Sequence, residues 1–117
     1  MILNHMNLTV TDVMAAENFL VKYFDMQAYE GEDQRDNFRF LFDDNGFVLT
    51  LMQGSRKTEV KYAANFHIGF GQPSEERVNE INQRLKDDNF DVQPPQRWHA
   101  WTFYVEAPGG FTVEVFC

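Results

Sequence analysis

The chain has 117 residues, 44% of them hydrophobic and twelve of them Phe, enough apolar side chain for one folded domain and too little for two independent ones. A formal net charge of −8, with no run of Lys and Arg, argues against nucleic acid and anionic lipid as partners. Cys117 is the only cysteine, so an internal disulfide is excluded, and its place at the last residue argues against a catalytic thiol. No apolar run approaches the roughly 20 residues that span a bilayer, and the opening MILNHMNLTV lacks the basic start of a signal peptide. A cytoplasmic protein with a small-molecule partner is expected.

In chain order, NHMNLTVTDV alternates as a strand does, with Met6, Leu8 and Val10 on one face and His5, Asn7 and Thr9 on the other. Asp12 caps a helix in which Val13, Ala16, Leu20, Tyr23 and Phe24 recur at three-and-four spacing. Strands are predicted near Met26 to Glu30 and Asn37 to Phe42. In the second of these, Phe38, Phe40 and Phe42 read as one packed face rather than a ligand platform, and Arg39 as a surface charge or a grip on an anionic substrate. A turn before Gly46-Phe47 opens a further strand, with Val48, Thr50 and Met52 on its free face.

The second half repeats this order. Around FHIGFG, Phe66, Ile68 and Phe70 form a core set, while His67 shares its face with Asn65, Gly69 and Gly71. Ser74, seven residues after His67 as Asp12 is after His5, caps a helix with Val78, Ile81 and Leu85 inside and Glu75 and Glu76 at its positive end. Strands are predicted at Phe90 to Gln93 and Trp101 to Val105, and a last one follows Gly110-Phe111. There Phe111, Val113, Val115 and Cys117 face one way and Thr112, Glu114 and Phe116 the other.

Each half therefore reads as strand, helix, strand, strand, strand. The expected architecture is α+β, a single domain of two modules at about residues 1–54 and 64–117, with curved mixed sheets forming a cup and the helices on its outer face. Parity puts His5, His67 and Glu114 on the free faces. Two imidazoles and one carboxylate are a divalent-metal ligand set, and Thr50, neutral at the fourth equivalent position, leaves room for water and substrate. Taken singly, each of the three is an ordinary solvated strand residue. Their shared parity and equivalent positions are what join them. Trp98, His99 and Trp101 could wall a substrate site, with His99 as acid or base, or pack as a loop; Arg97 could hold an anion or be a surface charge.

NHMNLTVTDV, FHIGFG and FYVEAPGGFTVEVFC together resemble the vicinal-oxygen-chelate superfamily of glyoxalase I, bleomycin-resistance proteins, fosfomycin-resistance thiol transferases and extradiol dioxygenases, over essentially the whole chain. The resemblance implies two βαβββ modules forming a metal cup, a homodimer, and metal roles for His5, His67 and Glu114. It implies Fe2+ or Mn2+, with Zn2+, Ni2+ and Co2+ within range. Thr50 stands where glyoxalase I carries a glutamate. Tyr104, ten residues before Glu114 as in the thiol transferases and extradiol enzymes, is implied to hydrogen-bond a substrate oxygen. His99 is the candidate for the extradiol catalytic histidine, although it stands at least two residues too near Tyr104. Pro94 falls where a thiol transferase would have a lysine. Substrate contacts are expected from Asn7, Thr50, Trp98, Trp101 and Arg97. The expectation is a metal-dependent enzyme acting on a small oxygen-chelating substrate by dioxygenase-like or thiol-transferase-like chemistry. The alternative is a metal-free drug-binding protein of the bleomycin-resistance type.

Overall fold

A computed structural model describes residues 1–32, 36–55 and 59–117. It divides into two units, residues 1–61 with 108–110 and residues 62–107 with 111–117.

The first unit runs β1 (His5–Val10), α1 (Val13–Phe24), β2 (Gln27–Ala28), β3 (Phe38–Phe42) and β4 (Val48–Gln53). Asp12 begins α1 by accepting the Ala15 N–H at 3.0 Å, and Asp25 ends it in the left-handed conformation at φ 55°. The sheet order is β1-β4-β3-β2, with β1 parallel to β4 and the other pairs antiparallel. Helix α1 lies against β2, β3 and β4, and buries Val13, Ala16, Phe19, Leu20 and Tyr23 over Leu41, Leu49 and Leu51. Register fixes the opposite face: His5, Val48 and Phe42 form one row across β1, β4 and β3, and Asn7, Thr50 and Phe40 the next.

Two expectations change in β3. Phe38, Phe40 and Phe42 are only half-buried and lie on the face away from the helix. Arg39, expected at the surface, is buried under α1, where its Nε lies 3.3 Å from Glu17 Oε2 and its Nη1 donates to the Phe38 carbonyl. The long guanidinium stem packs as an apolar chain while its head meets an acid offered by the helix.

The turn at residues 108–110 belongs to this unit. Gly109, at φ +108°, takes the Thr11 N–H on its carbonyl at 3.0 Å, and a Cβ there would stand 3.0 Å from Val10 Cβ. The close approach and the positive φ both call for glycine.

The second unit repeats the order: β5 (Ile68–Gly71), α2 (Glu75–Asp87), β6 (Gln96–Arg97), β7 (Trp101–Ala107) and β8 (Phe111–Phe116). Its sheet is β5-β8-β7-β6, again with the first and last strands parallel. Ser74 caps α2 through the Arg77 N–H at 3.2 Å, and Val78, Ile81 and Leu85 pack on β7 and β8 over Phe103, Val113 and Val115.

The strand expected at Phe90 to Gln93 is absent; the corresponding strand is β6, beyond Pro94-Pro95. The Phe90 N–H goes to the Leu85 carbonyl and the Gln93 carbonyl takes the Asn82 side chain at 2.9 Å, so this stretch spends its polar groups on the helix. The two prolines have no N–H to give a ladder. Pairing resumes at Gln96 with Thr102 and Arg97 with Trp101. Among the described residues no helix is long and apolar enough to cross a membrane.

Candidate metal centre

In the second unit the antiparallel register sets Tyr104 directly opposite Glu114, and the parallel one sets Gly69 on its other side. Residues opposite one another share a face, so Glu114, Tyr104 and Thr102 all point away from α2. Gly69 and Gly71 leave room there: a Cβ on Gly69 would stand 3.2 Å from the Phe116 ring and 3.8 Å from Glu114 Oε2.

Glu114 is 6% exposed and is the hub of the site. Its Oε1 accepts from Thr102 Oγ1 at 2.8 Å, from Tyr104 Oη at 3.0 Å and from His99 Nε2 at 2.7 Å. Its Oε2 lies 3.3 Å from His67 Nε2. Burial pushes the Glu114 carboxyl up, but the hydrogen bonds from Thr102, Tyr104 and His99, with the neighbouring His99 charge, outweigh it and hold the group below its ordinary value. Burial, followed by the hydrogen bond to Glu114 and its charge, pushes the Tyr104 phenol up.

The His67 ring is oriented from behind. Its Nδ1 is 3.0 Å from the Asn65 carbonyl, which can only accept, so Nδ1 carries the proton. Nε2 then faces the carboxylate oxygen at 3.3 Å, the distance of an ion pair to a protonated ring or of two ligands that share a cation. Either a proton or a shared cation must lie between them. The separation suits two ligands of one ion, given metal–ligand bonds of about 2.0–2.2 Å. His5 in the first unit is held in the same way, with Nδ1 3.1 Å from Asn4 Oδ1 and the ring exposed. By its chemistry the second unit's pair suits a divalent ion: a histidine with Nδ1 committed to a carbonyl, and a carboxylate held ionised. Among the described residues no three His, Cys, Asp or Glu side chains form a metal-holding group. The second unit brings His67, His99 and Glu114 together, with both imidazoles on the carboxylate.

A cavity of about 420 Å³ opens over His67 and Tyr104, walled by Ala64, Asn65, Phe66 and Thr112. The rings of His67 and Tyr104 meet edge to face at 5.5 Å, and the Trp98 ring lies 6.2 Å from Tyr104. Of the residues expected to touch substrate, Trp98 is thus beside the site. Trp101 and Arg97 are not: the Trp101 Nε1 donates to Asn79 on α2, and Arg97 lies over the Trp101 ring and pairs with Glu75 at the start of the same helix. Odd parity on β7 turns Trp101 toward the helix, and Arg97, its register partner, follows. Asn7 and Thr50 are register partners in the first unit's sheet. Thr102 was missed in the sequence. Its signal was a place two residues before Tyr104, on the same face.

The family model described as Glyoxalase/Bleomycin resistance protein/Dioxygenase superfamily matches residues 2–115. The chain belongs to this superfamily. Among solved structures, one described as a possible glyoxalase from Bacillus cereus shares 52% identity, with 100% of this chain and 99% of that one covered and a TM-score of 0.91. A fosfomycin resistance protein from Listeria monocytogenes, complexed with Mn(II) and 1S,2S-dihydroxypropylphosphonic acid, has the same fold at 21% identity, covering 100% and 93% with a TM-score of 0.79. A lactoylglutathione lyase from Agrobacterium tumefaciens does so at 19% identity, covering 98% and 92% with a TM-score of 0.74. No curated protein matches. The superfamily fold is that of two βαβββ-like modules with open mixed sheets, the order found in each unit here.

Proposed function

We propose that this superfamily member is a divalent-metal-dependent enzyme acting on a small substrate that presents adjacent oxygens, with His5, His67 and Glu114 as the metal ligands. The observation that carries the reading is that His67 Nε2 and Glu114 Oε2 are held face to face at 3.3 Å. His5, from the same chain or a second copy, completes the set, and the enzyme works as a homodimer. A divalent ion bound there supplies Lewis acidity toward substrate oxygens and a site for water or oxygen. The Listeria fosfomycin resistance protein holds Mn(II) on this fold, which makes Mn(II) the first ion to try.

Tyr104 has one hydroxyl proton, and Glu114 takes it. Its oxygen lone pairs therefore accept from a substrate O–H, a different role from donating to a substrate oxygen. His99, exposed and bonded to Glu114 through Nε2, is the mobile proton carrier of the site. Trp98 walls one side and supports a planar or apolar portion of the substrate.

The test is to strip the purified protein of metal, reload it anaerobically with Fe(II) and separately with Mn(II), and measure oxygen uptake with catechols and thiol consumption with epoxides. Metal-dependent turnover in either assay is the expected result. A protein that takes up no metal, yet binds an aromatic cationic drug such as bleomycin, would instead be a sequestering member of the superfamily.

A further inference from the structure

The two oxygens of Glu114 have different surroundings. Oε1 has three donors within 3.0 Å, whereas among the described residues Oε2 faces the His67 ring alone. A carboxylate oxygen offers about two lone-pair sites, so three donors saturate Oε1 and leave Oε2 as the open one. The donors are unequal in turn. His99 is exposed and Tyr104 half-buried, so water can replace either of them. Thr102 is 1% exposed, and no water can take its place. It has one hydroxyl proton, shared between Glu114 Oε1 at 2.8 Å and the carbonyl of Val115, the residue that follows Glu114, at 3.0 Å.

We propose that Thr102 is a positioning residue that fastens Oε1 to the protein, so that Glu114 can offer a metal ion only Oε2. The proposal rests on the metal reading above and adds to it how the carboxylate binds, through one oxygen and in a fixed rotamer. Without the hydroxyl, the carboxylate can turn and present both oxygens, which alters the ligand field and loosens the fit. An orienting partner of a metal ligand changes affinity by about 10- to 100-fold when removed.

The experiment compares wild type, Thr102→Val and Thr102→Ser as metal-free proteins titrated with Mn(II), reading free Mn(II) by its EPR signal and the bound ion by its EPR line shape. Far-UV circular dichroism and Tm report folding. Thr102→Val should bind about 10- to 100-fold more weakly with an altered bound spectrum, and Thr102→Ser should recover wild-type affinity within about threefold together with the wild-type spectrum. Folded Thr102→Val with wild-type affinity and spectrum overturns the positioning role and leaves the metal reading standing. A wild type that binds no Mn(II), Fe(II) or Zn(II) overturns both. If Thr102→Val does not fold, Thr102→Ala is held to the same criteria.

Discussion

Asn4 and Asn65 do the same work for the two histidines, one through a side-chain carbonyl and one through the backbone. Only the first can be mutated away. Asn4→Ala should therefore weaken Mn(II) binding about 10-fold while leaving Tm unchanged, as an exposed orienting contact would, and a Mn(II) titration beside a melting curve checks both. Gly109 is a purely structural case. An alanine there meets Val10 and holds an unfavourable positive φ, so Gly109→Ala should cost about 1–3 kcal/mol in urea unfolding. At this scale the sequence was legible wherever strand alternation decides a side chain's direction: Tyr104 and Glu114 do share a face. For Thr102 it carried only the shared face with Tyr104; the hydroxyl's contact with Glu114 needs the cross-strand register as well.

Among the elements, both helices were legible from their caps, Asp12 and Ser74, and removing either hydroxyl or carboxylate oxygen should destabilise the protein by about 1 kcal/mol. Strand β3 was misread because periodicity separates two faces without saying which lies inside. Three phenylalanines outweigh one arginine on any hydropathy scale, yet α1 brings Glu17 to the inner face and pairs it with Arg39. Arg39→Met fills the space but leaves Glu17 buried without its cation; a loss of about 3 kcal/mol is expected in chemical denaturation. Adding Glu17→Gln should restore part of that loss, which would separate charge pairing from packing. The second unit's short strand lies later than the sequence suggests, because the backbone ahead of Pro94-Pro95 is bonded to α2.

For the whole chain, the repeat was the strongest signal. Two modules with a histidine at the first strand, a cap seven residues on and a Gly-Phe pair before the last strand correspond to two units with matching sheet orders. The proposed ligand set rests on that correspondence, with His5 opening β1 and His67 standing one residue ahead of β5. The central claim is that one ion is shared by His5, His67 and Glu114, and the most direct measurement is a Mn(II) titration of metal-free wild type, His5→Ala, His67→Ala and Glu114→Gln followed by EPR. The account expects one ion per chain in the wild type and a loss of about 100-fold or more in affinity for each variant. A folded His5→Ala that binds Mn(II) as tightly as the wild type would contradict it.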